Sequence, residues 1–185
     1  NSVLSFPNLT TLTGPQTRYA ELNVITRSGG QVQMPALTTV ASGAVYFDSD
    51  GASSLINLPE LTQFTGYFYD NSCGFRVTSQ GEINSPKLQS VVVGHIIVEA
   101  LGIIDTGSLQ SFSGGGSLVI NRDGQDFSGL TSLVSVNIST SANVTASFPG
   151  ITSYTTTGER TLQASGANSV LSFPNLTTLT GPQTR

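Results

Sequence analysis

The chain has 185 residues, 10% of them charged, with 20 Gly, 8 Pro, one Cys, no Trp and a formal net charge of −4. That acidic balance argues against a nucleic-acid partner, whose phosphates call for clustered Lys and Arg, and no run of eighteen apolar residues is present to span a membrane as a helix. Ser and Thr make up about a quarter of the chain, Lys occurs once, and no stretch keeps apolar residues at i, i+3, i+4 and i+7 for three turns, so the composition points to an all-β fold.

The first segment, Asn1 to Arg18, returns letter for letter as Asn168 to Arg185, 167 residues later. This identity predicts a window on a tandem array: 1–185 is one continuous solenoid segment, 1–167 one period, and 168–185 the start of the next. Such a window begins inside the array, so the missing charged-then-apolar leader says nothing of export. Counted from Tyr19 to Arg185, one period carries 6 basic against 11 acidic residues, or −5, so a long array is polyanionic.

A shorter repeat runs inside the period. It starts at FPNLTTLTG (Phe6) and recurs at Met34, Leu58, Ser85, Thr106, Phe127 and Phe148, returning at Phe173; the steps are 28, 24, 27, 21, 21, 21 and 25 residues. Units of this length with a fixed apolar frame match a solenoid coil, which buries its apolar face only when a neighbour stacks on it. The second apolar position (Leu9, Leu37, Leu61, Leu88, Leu109, Leu130, Ile151) and the third (Leu12, Val40, Phe64, Val91, Phe112, Leu133, Tyr154) predict two continuous core columns. Three residues separate them, against the period of two in a straight strand, so a bend is expected between them.

The alternating runs Ala44–Gly51, Ser117–Gly124 and Ser135–Ser147 read as strands separated by turns. Together these features predict a parallel β-solenoid of about seven coils per 167-residue period, with an axial repeat of about 34 Å at about 4.8 Å per coil. Polar columns accompany the apolar ones. Ser5, Gln33, Asn57, Asn84, Asp105, Asp126 and Ser147 precede each apolar-Pro step; Thr10, Thr38, Thr62, Gln89, Gln110, Thr131 and Thr152 form a second column, and the residues after them a third. Stacked one coil apart, these side chains are expected to hydrogen-bond along the axis as ladders.

The string SFPNLTTLTG and its relatives, seven units in all, resemble the leucine-rich-like β-solenoid repeats of receptor L-type domains and fungal cell-wall glycoproteins, and are similar to repeats of long microbial surface and adhesin-like proteins. The unit lengths here vary more, and a hydrophobic helix on the convex side is not evident. The resemblance implies a parallel solenoid on an exterior surface, used for structure or adhesion. An acidic, Ser/Thr/Gly/Asn-rich surface poor in Lys fits the same extracellular or cell-surface placement.

Candidate chemistry is sparse. His95 lies in the apolar run VVVGHIIVEA with no nucleophile motif beside it and reads as a strand histidine. Cys73, one per period, cannot bridge within a unit and reads as a buried small hydrophobe ahead of an inter-chain disulfide. One His and one Cys assemble no tetrahedral metal site, and no catalytic residue or cofactor motif is assigned. Asp48-Ser49-Asp50-Gly51 and the run Asn121 to Asp126 place oxygens at alternate positions before Gly but lack the closing Glu of a calcium loop; Asx-rich turns are the preferred reading. Asp105 and Asp126 fall in one column, where stacking would raise a carboxyl pKa; a ladder edge is preferred to a glycosidase-like pair. Gly114-Gly115-Gly116 reads as a corner, since neither a Lys nor a helix follows it.

Asn8, Asn137, Asn143 and Asn175 stand in the N-x-Ser/Thr acceptor pattern for N-glycans; Asn137 and Asn143 are expected to be the better exposed. The expected role is a non-catalytic structural repeat of a long extracellular fibre or surface filament whose partner is itself, by tandem continuation or head-to-tail assembly. The alternatives are an adhesin stalk or glycan-binding solenoid and, below that, a β-helical polysaccharide-active enzyme. Ice binding ranks lower still, because the two Thr ranks are adjacent in sequence and cannot share one flat strand face.

Overall fold

The computed structural model describes residues 2–67, 73–141 and 143–182. These residues contain no helix and twenty strands, every one paired in parallel, wound into a β-solenoid of seven complete coils and part of an eighth. No helix long and apolar enough to cross a membrane is therefore present among them.

Each coil runs through three faces. The first face holds β1 (Val3–Ser5), β4 (Gln31–Gln33), β7 (Leu55–Asn57), β10 (Glu82–Asn84) and β12 (Ile103–Ile104), stacked in that order, and resumes further on as β16 (Thr145–Ser147) on β19 (Val170–Ser172). The second face stacks β2 (Thr11–Thr13), β5 (Thr39–Ser42), β8 (Gln63–Thr65), β11 (Ser90–Val98), β13 (Ser111–Ile120), β14 (Ser132–Val134), β17 (Ser153–Thr155) and β20 (Thr178–Thr180). The third stacks β3 (Leu22–Arg27), β6 (Val45–Asp50), β9 (Gly74–Thr78), the later halves of β11 and β13, β15 (Asn137–Thr140) and β18 (Leu162–Ala164). β19 and β20 have the same bounds as β1 and β2, shifted by 167 residues, so the identical segments adopt the same strands at opposite ends.

The corner from first to second face is the conserved frame of every unit. In each, the carbonyl of the first turn residue accepts a hydrogen bond from the N–H of the Leu or Ile three positions on: Phe6 from Leu9, Met34 from Leu37, Leu58 from Leu61, Ser85 from Leu88, Thr106 from Leu109, Phe127 from Leu130, Phe148 from Ile151 and Phe173 from Leu176, at 3.0–3.3 Å; Pro follows that residue in all but the Thr106 and Phe127 turns. Pro at the second turn position pre-sets φ for such a turn. One residue later the chain bends again, because one carbonyl serves two donors of the next coil: Thr10 takes the N–H groups of both Thr38 and Thr39, and Thr38 those of Thr62 and Gln63. This is the bend expected between the two apolar columns.

Register tells where unit length varies. The inward residues of first and second faces, such as Val32 and Val40 or Ile83 and Val91, lie eight residues apart throughout. From second to third face the separation runs from five (Val91 to Ile96) to twelve (Leu12 to Val24), so most insertion falls at that one corner. Where it is shortest, the chain bends without leaving the ladder: β11 turns at Val93 (φ 53) and β13 at Gly114, Gly115 and Gly116, with one extra residue in β13. A Cβ on Gly116 would stand 1.7 Å from the Gly94 carbonyl oxygen, so this corner packs backbone on backbone. The run Ser135–Ser147 is likewise not one strand: a tight turn between β15 and β16, with Asn143 at φ 60, moves the chain to the next face.

The core is a line. Leu37, Leu61, Leu109, Leu130, Ile151 and Val40, Phe64, Val91 and Phe112 are fully buried, and a third-face column of Phe47, Phe75, Ile96, Leu118 and Ile138 completes it. Phe47 stacks on Phe75 at 5.5 Å between ring centroids, and Phe148 on both Phe127 and Phe173 at 5.0 Å. Cys73 is buried in this core, as the packing role predicts. Because each coil is held by its two neighbours, Phe112→Ala in the middle is expected to cost about 3–5 kcal/mol. The half-buried Leu12 in coil 1 should cost markedly less. Urea unfolding of the two variants checks the difference.

Candidate functional site

Polar residues on this solenoid serve the stacking. On the first face the Asn57 amide donates to Gln33 Oε1 (2.7 Å) and the Asn84 amide to Asn57 Oδ1 (2.6 Å), one unbroken run across three coils. The Thr column works differently. Thr38 and Thr62 hydroxyls donate to the carbonyls of Thr10 and Thr38 (3.1 Å each), Thr131 to Gln110 (3.4 Å), and Thr177 to Thr152 (3.0 Å). Each hydroxyl thus reaches a carbonyl that already takes two N–H groups, filling the bend with a third donor rather than pairing hydroxyl to hydroxyl.

Asp105 and Asp126 leave the ladder. Asp105 Oδ1 accepts the Gly107 N–H (3.0 Å) and Asp126 Oδ1 the Ser128 N–H (2.8 Å), each closing its own turn. The Ser128 backbone N–H, and then its hydroxyl, hold the Asp126 carboxyl below the usual carboxylate range, opposite to the rise that a stacked acid pair would produce. Coil 6 contributes no strand to the first face, and a polar cleft of about 380 Å³ opens there between Glu82, Asp105, Arg122 and Gln125. Side chains replace the missing ladder: Gln125 donates to the Ile104 carbonyl (2.8 Å) and Thr106 Oγ1 (2.6 Å), Thr106 donates to the Asp126 carbonyl (2.5 Å), and Arg122 to that of Gly102 (2.5 Å).

The two calcium-like fragments are also tied into coil contacts. Asp48 is buried in β6 against Arg27 (2.5 Å), while Asp50 accepts the Thr78 hydroxyl (2.5 Å) and lies 3.6 Å from Arg27. That Thr78 bond, joined by Ser79, holds the Asp50 carboxyl low. In the second fragment Asn121 donates to Glu99 and Asp123 accepts the Thr145 N–H. No group of three His, Cys, Asp or Glu among the described residues is placed to hold a metal. His95 is half-buried in β11 with Nδ1 2.6 Å from Ser117 Oγ on the next coil. Sequence reasoning missed Arg27 as the partner of Asp48; their alignment, 21 residues apart, follows only from the coil register.

Among the glycan acceptors, Asn137 is half-buried with both ends of its amide engaged, donating to the Gly116 carbonyl and accepting from the Thr161 N–H. Asn143 is exposed, and its oxygen accepts from Asn168. Asn8 and Asn175 are exposed at equivalent turn positions, Asn175 donating to the Pro149 carbonyl of coil 7. The structure therefore separates Asn137 from the other three.

The remaining feature is at the ends. Leu4 (54% exposed) and Phe6 (39%) of coil 1 line an apolar cleft of about 540 Å³ with Leu9, Leu12, Val24 and Met34. In the second copy of the segment, Leu171 and Phe173 are half-buried against coil 7, whereas Leu179, paired with Tyr154 on the second face, is 63% exposed. Each copy is covered on one side only. No family model, curated protein or solved structure matches the chain.

Two stability outcomes follow from the side-chain contacts. Thr106→Val removes a hydroxyl that bridges coils 5 and 6 and should cost about 1–3 kcal/mol, whereas Ser85, whose buried hydroxyl has no partner, should tolerate Ala without loss; urea midpoints compare them. Asp50 and Asp126 have folded-state pKa values below the ordinary 3.8, so their stabilisation is present above about pH 4 and lost as pH falls through the folded values. Thermal unfolding between pH 5 and 2 should show this acid loss, reduced in Asp50→Asn.

Proposed function

We propose that this chain is a structural, non-catalytic repeat of a long extracellular solenoid, whose work is reach and scaffolding at a cell surface. The observation that carries the reading is the identical 18-residue segment, which forms the same first-face and second-face strands in both of its copies, 167 residues apart. A core that continues through every coil makes stability nearly additive with length, the property that a filament needs. The acidic, Lys-poor surface keeps such an array soluble. The likeness of the SFPNLTTLTG frame to receptor L-type and microbial surface repeats supports the same placement.

Asn8, Asn143 and Asn175, exposed on turns, are the acceptors best placed to carry glycans on such a filament. The test is location. Immunogold labelling of intact source cells, with an antibody raised against the 185-residue chain, should decorate thin extended structures outside the cell. Label confined to the cell interior would overturn the reading.

A further inference from the structure

The third face is incomplete at both ends. Among the described residues β3 pairs only with β6, and β18 only with β15, so each has one edge of backbone donors and acceptors with no strand beside it there. On the other two faces coil 7 is already covered by the second copy of the identical segment: Thr145, Ala146 and Ser147 pair with Val170, Leu171 and Ser172, and Ser153, Tyr154 and Thr155 with Thr178, Leu179 and Thr180. Residues 1–18 have the same sequence and the same strands, and they run directly into the turn that leads to β3. Whatever holds the segment 168–182 on coil 7 therefore holds residues 1–15 equally well.

From this the geometry points to a docking surface for a second copy of this repeat: the open face of coil 7 accepts coil 1 of the copy, with β18 pairing to the copy's β3 in parallel. The inference rests on the proposed filament reading and specifies its joint. Inward residues of the third face stack as Val24, Phe47, Phe75, Ile96, Leu118, Ile138 and Leu162, each paired with the next. Continuing that column by one coil places Leu162 opposite the copy's Val24, Gln163 opposite its Ile25, and Ser165 opposite its Arg27. On the first face the copy's Leu4 takes the place of Leu171 against Ala146, and its Phe6 that of Phe173 on the Phe148 ring. The side chains left open in coil 1 are thus those that the same coil-7 surface already covers once in this chain. In a tandem array the copy is the next repeat. Between separate 185-residue chains, one of the two identical segments gives up its seat to the other at no net loss of contacts, and the β18–β3 pairing is the gain.

Paired cysteines test the register. Ile25 and Gln163 are both exposed on the outer side of the third face and stand six coils apart within one chain, about 29 Å, too far for an internal bridge. In the proposed joint they are direct neighbours. Oxidation of concentrated Ile25→Cys/Gln163→Cys chains should give a ladder of multiples of the chain mass on a denaturing, non-reducing gel. Asn23→Cys/Gln163→Cys, equally exposed but two residues out of register, should remain at single-chain mass. Should the first pair disturb folding by circular dichroism, Asn23→Cys/Thr161→Cys, both exposed and opposite each other in the same register, makes the same test two residues back along the strand. Absence of a ladder from a folded in-register pair, or an equal ladder from the out-of-register pair, overturns the joint. That outcome with immunogold label still outside the cell would sink the joint alone, whereas a register-specific ladder with interior label would sink the filament reading and leave the joint standing.

Discussion

No coil of this solenoid can bury its own apolar residues, and the whole structure follows from that constraint. A single turn of chain presents one inward side chain on the first face, one on the second, two or more on the third and a corner residue or two, all of which stay wet until another coil covers them. The backbone imposes the same condition, because every strand is only two to ten residues long and has hydrogen-bond partners only above and below. Stacking therefore satisfies two needs at once, and one parallel register serves both. Side chains align into columns because the ladders align, and the ladders persist because the columns exclude water.

That coupling explains why the constant part of the unit is a corner and not a strand. The turn closed by Leu or Ile and the double-donor carbonyl after it hold eight residues between first-face and second-face columns in every coil that has a first-face strand, so both faces keep register however long the unit is. Length is free to vary where the chain passes from the second face to the third, and there the separation ranges from five to twelve residues. The shortest passages demand the most unusual backbone. Val93, a β-branched residue, stands at φ 53, and Gly114, Gly115 and Gly116 at φ 82, 113 and 94; at Gly116 a side chain would also run into the Gly94 backbone of the next coil.

The same asymmetry sets what could be read from the residues alone. The Leu9 and Leu12 columns and the coil count were legible because the fixed eight-residue frame repeats them in recognisable letters. The third-face column was not, since Val24, Phe47, Phe75 and Ile96 follow the frame at changing distances and only the ladder brings them into line. Polar roles were legible by column and not by partner. Asn57 and Asn84 join a side-chain ladder, but Asp105 and Asp126 sit where the first face loses its strand, and there an acid gains more from its own turn amide than from a like-charged neighbour. Asn137 reads as an exposed acceptor in an alternating strand; its amide is instead shared between the coils on either side, which no local pattern reveals.

Polar side chains along this axis therefore do the work that closing elements do in a globular domain. Where the first face is interrupted at coil 6, Gln125, Thr106 and Arg122 carry the coil-to-coil hydrogen bonds that backbone strands carry elsewhere, and the core continues beneath them through Leu109, Leu130 and Ile151. A break in one ladder thus leaves the line of the core intact, since two faces still hold register across it. By contrast, a break in the core line, such as the loss of Phe112, has no substitute on the surface, because no side chain outside can keep water from the columns on either side. Tolerance of irregular faces together with dependence on a continuous interior is what lets seven unlike units stack on one axis.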